Sequence, residues 1–288
     1  MIDLPRINRS LRRVAPFRRI GMPLYEAYRR LTASGAAAAI AINSVPKAGT
    51  HLVASIISRV PGIRPSGVMV VHDFFPLGKL NSEGIMPQYD LHALRRRLNS
   101  VKPGTFANCH LYYDEATSKL LRESVQSVFI VRDPRDVLLS QLHYIQEFSA
   151  HERHAHLMGS YGSREARLSA LITGWPETPN TRGMADVGAR LRAYHGWKES
   201  LQTFKFEEFA APSSEDDLMN SLSRLAHATG LDQLADPDRL KAGIGDKWSP
   251  TMRAGRVRGW RDGFTTRQVE MVVELAGDSF TEWGYSAD

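Results

Sequence analysis

Three short runs carry the residue types that handle an anionic substrate. The first is Pro46-Lys47-Ala48-Gly49-Thr50-His51. Gly49 lets backbone come close to a ligand, Lys47 adds a mobile positive charge and Thr50 a hydroxyl. A helix opening at this point offers its first N–H groups to an anion. Together they read as a phosphate cradle, with a plain strand–helix turn as the alternative. The order is not the Walker A pattern, in which Gly-Lys-Ser/Thr opens the helix. The second run is Arg132-Asp133-Pro134-Arg135-Asp136, followed by Ser140. A guanidinium at 132 suits an anionic oxygen, and Ser140 adds a hydroxyl donor. Pairing of Arg132 with a carboxylate reads as the alternative. The third run is Met252-Arg253-Ala254-Gly255-Arg256-Val257-Arg258-Gly259-Trp260. Such a segment can close over an anion, although as residues alone it reads equally as a basic surface loop.

The elements around these runs give them places. Ala36–Asn43 is a small-residue apolar run without helical spacing and reads as a buried strand. Leu52, Val53, Ile56, Ile57 and Val60 then recur at helical spacing until Pro61-Gly62. A short strand is expected at Val68–Val71 within an irregular stretch, Pro65–Tyr89. A basic helix follows at Leu91–Leu98, a strand at Thr105–Leu111, a helix at Asp114–Glu123 and a strand at Val128–Val131. Asp136 is expected to cap the next helix, with Leu138, Leu142, Ile145 and Phe148 inside. Residues 149–182 read as polar and turn-rich. Val187, Leu191, Tyr194 and Leu201 mark one longer helix, and Thr203–Phe206 a further strand. Ser214 with Asp217, and Thr265 with Gln268, read as capping boxes of two late helices. Strands alternating with helices imply a parallel sheet covered on both faces, with ligands at the carboxyl ends of its strands.

Composition limits the alternatives. The chain has 288 residues, 42% hydrophobic and 24% charged, with one cysteine, Cys109. That excludes a disulfide-stapled or disordered chain and a Cys-rich zinc site. No apolar run reaches the length of a membrane span of about 20 residues. Residues 1–38 hold eight arginines against Asp3 and Glu26, which is the whole of the net charge of +6. The basic balance therefore belongs to an arm, read as residues 1–34, and not to a nucleic-acid-binding surface. The arm reads first as a solvated extension and second as a contact for an anionic membrane. Residues 35–288 read as one domain. His151, His154 and His156 read as a solvated or acceptor-side segment, with zinc as a minor alternative.

The three runs, in this order, resemble the cytosolic-type sulfotransferase family. The resemblance spans most of residues 40–265. It implies an α/β, P-loop-like three-layer fold with a central parallel sheet flanked by helices. It also implies 3′-phosphoadenosine 5′-phosphosulfate (PAPS) as co-substrate, with no metal. On that resemblance the loop of Lys47, Ala48, Gly49, Thr50, His51 and Leu52 holds the 5′ end. Arg132, Ser140, Arg253, Ala254 and Gly255 hold the 3′-phosphate. His110, in Asn108-Cys109-His110-Leu111, matches the catalytic His-Leu of the family and is the expected base, with His72 and Asp73 as rivals. Ala48, His51 and Leu52 stand where the family usually has Ser, Thr and Trp. Without that Trp, Phe206 or Trp260 is the candidate for the adenine. The implied reaction is sulfuryl transfer to a hydroxyl or amine of a glycan, lipid-linked sugar or small metabolite. The rival functions are a nucleotide-dependent kinase and a non-catalytic polyanion binder. The expected setting is bacterial and cytoplasmic, or peripheral to the inner membrane through the arm. Neither the acceptor nor the oligomeric state is legible.

Overall fold

The computed structural model describes residues 37–71, 88–244 and 255–286. The arm at 1–34 lies outside these, as do His72, Asp73, Arg253 and Ala254. Ile40–Ser44 forms β1, and its alternating side chains explain its central place. Ile40 and Ile42 face one side and Ala41 the other, all fully buried. Helix α1 (Thr50–Ile57) returns over the sheet to β2 (Arg64–Val71). That strand begins earlier than its apolar residues suggest and slips register between Pro65 and Met69, where Gly67 has φ 75°. There follow α2 (Leu91–Asn99), β3 (Thr105–His110), α3 (Glu115–Ser124) and β4 (Gln126–Val131).

Helix α4 (Pro134–Glu147) is capped by Asp133, whose side chain accepts from Arg135 N, and not by Asp136 as expected. The reason is Pro134: with its fixed φ it takes the first helical position, so the residue before it becomes the cap. Phe148 ends the helix 47% exposed, not inside. The polar stretch 149–182 contains two helices, α5 (His154–Ser160) and α6 (Arg164–Thr173). They bury Leu157, Leu168, Leu171 and Ile172 against α4 rather than against the sheet. The expected long helix at 187–201 is two short ones, α7 (Val187–Arg192) and α8 (Trp197–Ser200). The Trp197 indole is drawn in by its N–H bond to Leu111 O (2.7 Å). Strand β5 (Gln202–Lys205) gives way at Phe206 to α9 (Phe206–Ala210). The chain continues with α10 (Glu215–Ala228) and α11 (Pro237–Lys241). After a 3-10 turn at Gly259–Asp262 come α12 (Thr266–Ala276) and α13 (Asp278–Glu282). Ser214 and Thr265 cap α10 and α12 as expected.

All five strands are parallel, in the order β2-β3-β1-β4-β5. Ile40, Ile42, Val128, Ile130 and Phe204 pack under α1, α9 and α10 on one face. Ala41, Val70, Ala107, Phe129 and Val131 pack under α2 and α3, with Trp197 and Trp283, on the other. This is the expected three-layer arrangement. Among the described residues no helix is long and apolar enough to cross a membrane.

Candidate active site

The carboxyl ends of the strands open onto one cleft of about 1640 Å³, lined from β2 and β3, from the turns after β1 and β4, and from α1, α4, α7 and α9. That exceeds the room one small ligand needs. After β1 the chain folds back tightly, with Ala48 N donating to Val45 O (3.0 Å). Lys47 (φ 73°) and Gly49 (φ 113°) both take left-handed backbone. For a lysine this costs about 1–3 kcal/mol, a strain kept where the surroundings dictate it. At Gly49 the reason is steric, because a Cβ there would lie 2.4 Å from Phe206 Cδ2. No side chain caps α1, although Leu52 N already donates to Gly49 O (2.9 Å). Ala48, Thr50 and Leu52 are buried, and Thr50 Oγ1 lies 2.5 Å from Ser44 Oγ.

Lys47 Nζ lies 3.5 Å over the ring of Tyr144 on α4. Burial strips water from the ammonium and lowers its pKa to about 8, against the smaller opposing pull of Glu147. His51 is likewise pushed below its ordinary value, by burial first and by Lys47 second.

His110 ends β3, with Val71 of β2 as its partner across the ladder. Its Nδ1 lies 3.0 Å from Ser44 O and 3.1 Å from Ser44 Oγ. A carbonyl only accepts, so Nδ1 carries the proton and Nε2 the lone pair. The neighbouring Cys109 points the other way into the sheet core, and burial raises its thiol pKa to about 12. A Cys–His pair is therefore absent here, as strand alternation requires.

Arg132 leaves β4 at the cleft. Its Nη2 donates to Arg256 O (2.8 Å), and its guanidinium lies 4.3 Å from the centre of the Phe206 ring. Its buried Nε has no hydrogen-bond partner among the described residues. Asp136 stands 3.8 Å from it and accepts from Arg258 N and Trp260 N, both at 2.9 Å. So Asp136, expected to cap a helix, instead ties the late Gly/Arg segment to β4–α4. Gly255, in left-handed backbone with φ 55°, and Ser140 both line the cleft. Arg135 serves the fold: it pairs with Asp133 and lies 3.6 Å from the Trp260 ring centre. Trp260 is thereby 7% exposed in the helical cluster around α4 and α12. Asp136→Ala leaves two buried amides without an acceptor and Arg132 without its nearest countercharge. The expected loss is about 2–4 kcal/mol of stability, read as a lower urea midpoint.

Residues 38–174 match the family model of the sulfotransferase domain. Those residues carry a sulfotransferase domain. The matched stretch runs from β1 to the end of α6. It therefore includes the Lys47 loop, His110 and Arg132. Among solved structures, mouse sulfotransferase SULT7A1 complexed with PAP is 18% identical. The alignment covers 85% of this chain and 88% of that one, at a TM-score of 0.50. Retinol dehydratase in complex with androsterone and inactive cofactor PAP is 15% identical, over 83% and 80% of the two chains, at a TM-score of 0.45. The first likeness establishes the fold. No curated protein sequence matches the chain.

Several residues of this sulfotransferase cleft escape a reading by motif. Tyr144 lies one helical turn beyond Ser140, so the spacing from Ser140 was the available signal. Arg190, Tyr112 and Glu207 reach the site area from separate elements and carry no local signature. Among the described residues no group of three His, Cys, Asp or Glu is placed to hold a metal ion. The three histidines diverge. His154 Nδ1 meets Ile145 O (2.6 Å), His156 Nδ1 meets Ser160 Oγ (3.2 Å), and His151 lines the cleft beside Tyr144.

Proposed function

We propose that this chain transfers the sulfuryl group of PAPS to a hydroxyl or amine of an acceptor such as a glycan, lipid-linked sugar or small metabolite. The observation that carries the reading is the juxtaposition on neighbouring strands. A tautomer-fixed histidine ends β3, and a lysine-bearing turn follows β1, in one cleft. The mouse sulfotransferase of the same fold was solved with PAP, which supports the choice of nucleotide. Arg132 is a fitting partner for its 3′-phosphate, since its buried guanidinium Nε has no acceptor among the described residues.

PAPS supplies a sulfuryl group whose bond to the 5′-phosphate oxygen breaks as the acceptor's oxygen or nitrogen bonds to sulfur. His110 Nε2 takes the acceptor proton, with Ser44 O orienting the ring. Lys47 meets the charge that grows on the departing phosphate oxygen. The loop of Ala48, Gly49, Thr50, His51 and Leu52 holds the 5′ end through the Gly49 and Thr50 amides and the Thr50 hydroxyl, with the Ala48 and Leu52 amides bonded inside the turn to set its shape. Arg132, Ser140 and Gly255 hold the 3′-phosphate, joined by Arg253 and Ala254 from the same late segment. Phe206, 5% exposed, offers its ring as the bed on which Arg132 is laid. Residues 35–288 act as the catalytic unit, and the basic arm at 1–34 is suited to an anionic surface. Such an enzyme belongs in the cytoplasm or at the inner face of its membrane.

Calorimetric titration with adenosine 3′,5′-bisphosphate, with AMP and ATP–Mg²⁺ as controls, tests the reading. Tight binding of the bisphosphate, weak binding of AMP and no magnesium dependence are expected. A preference for ATP–Mg²⁺ moves the chain to phosphoryl transfer and overturns the proposal. Arg132→Ala is expected to weaken the bisphosphate about 10- to 100-fold, in line with a lost charge-assisted contact. AMP, which lacks the 3′-phosphate, should be little affected. An equal loss for AMP removes Arg132 from the 3′-phosphate.

A further inference from the structure

The wall of the cleft away from the Lys47 loop contains a cation that the sulfuryl chemistry does not use. Arg190, on α7, lines the cleft. Its Nη1 donates to Gln141 Oε1 (2.9 Å), its Nε to Asp186 O (3.3 Å) and its Nη2 to Leu171 O. All three acceptors are neutral. Asp186 meets Arg190 through its backbone, while its carboxylate caps α7 at Ala189 N (2.8 Å). Among the described residues Arg190 makes no ion pair. Burial first and the like charge of Arg153 second lower the Arg190 pKa to about 10, against opposing pulls from Tyr112, Asp186 and Tyr194. Arg153 already faces Glu152 (2.9 Å), which also serves Arg182 (2.6 Å). A part-buried guanidinium held only by neutral acceptors, with no ion pair, is costly in the free protein. Packing alone does not require it, because a neutral side chain satisfies Gln141 and a carbonyl more cheaply.

The surroundings show what sort of molecule would bring the charge. Met69 and Phe148 stand at the cleft 46% and 47% exposed, and Tyr112, Met184 and Leu191 continue the apolar wall. A ligand here meets apolar surface with the Arg190 guanidinium set in it and Arg153, already paired with Glu152, beside it.

Resting on the sulfuryl-transfer reading, we propose that Arg190 is an acceptor-specificity residue and that the acceptor carries a carboxylate on an apolar body, besides the hydroxyl it presents to His110. Planar guanidinium geometry favours a carboxylate, which it binds through two parallel N–H donors. The same carboxylate relieves the buried charge on binding, so an uncharged analogue forfeits both contributions.

The test uses the full chain saturated with adenosine 3′,5′-bisphosphate, titrated with 4-hydroxybenzoate or its methyl ester. The two share ring and hydroxyl and differ in the charge. The acid is expected to bind about ten-fold or more tightly than the ester. Equal affinities, or binding of the ester alone, overturn the proposal without recourse to any variant. Gln141→Glu places a carboxylate where Arg190 already donates and so supplies the missing countercharge internally. It is expected to abolish the preference by weakening the acid and sparing the ester. A preference for the acid that survives Gln141→Glu overturns the proposal. Arg190→Gln should act likewise, with bisphosphate affinity unchanged as the sign of an intact fold. If the bisphosphate itself does not bind, the sulfuryl-transfer reading fails on that ground. The acid and ester, titrated without nucleotide, then still decide whether Arg190 is an anion site.

Discussion

Lys47→Ala is expected to lower turnover about 10²- to 10³-fold, the size of effect that follows loss of one preorganised group facing developing charge. Bisphosphate affinity should fall far less, since the loop amides and Arg132 remain. Single-turnover quench flow separates the two effects, and unchanged turnover removes Lys47 from the chemistry. The variant should also lose a pH dependence that the wild type shows. With its pKa near 8, Lys47 is charged below that pH and neutral above it. An anionic nucleotide favours the charged form and raises the pKa in the complex. Wild-type affinity should therefore weaken as pH climbs through 8, by at most ten-fold per unit, while Lys47→Ala stays level in that window. A wild-type profile that is flat from pH 7 to 9 contradicts this account of the buried ammonium.

His110→Ala should cut turnover about 10²- to 10⁴-fold, the range of general base catalysis, with bisphosphate affinity intact. Acceptors whose hydroxyl is already acidic need the base least. Across a series of phenols the defect should shrink as the phenol pKa falls. A defect that is uniform across the series would assign His110 to acceptor positioning. Ser44 gives a second handle, since its carbonyl fixes the histidine tautomer but its hydroxyl only assists. Ser44→Ala should therefore cost far less than His110→Ala.

The loops that carry the chemistry were legible where their residues follow an unbroken apolar run. β1 and β4 contain such runs, so Lys47 and Arg132 could be placed at strand ends, whereas β3 mixes polar residues with apolar ones and His110 was found only through its likeness to the His-Leu of the family. What stayed hidden depends on partners distant in the chain. Asp136 reads as a helix cap from its position, but Pro134 moved the cap to Asp133 and left Asp136 to hold Arg258 and Trp260. Helices α5 and α6 lie in a stretch whose ends and turns are polar, and their buried residues face α4 and not the sheet. Arg190 has no motif at all, and its neighbours Gln141 and Leu171 come from two other helices. Trp260 looked available for stacking, yet the Arg135 guanidinium beside its ring and the packing around α12 withdraw it.

The bonds from Asp136 to Arg258 and Trp260 span 122 and 124 positions of the chain. Arg135 reaches further still, to the carbonyl of Ser286. During synthesis the five strands and the Lys47 turn have all emerged before the late segment that completes the Arg132 corner. A nascent chain halted after β5 has the sheet but lacks the clamp, and so should not retain the bisphosphate. Nucleotide supplied during translation would then act as a late fastener of the finished molecule, with no part in templating its earlier folding.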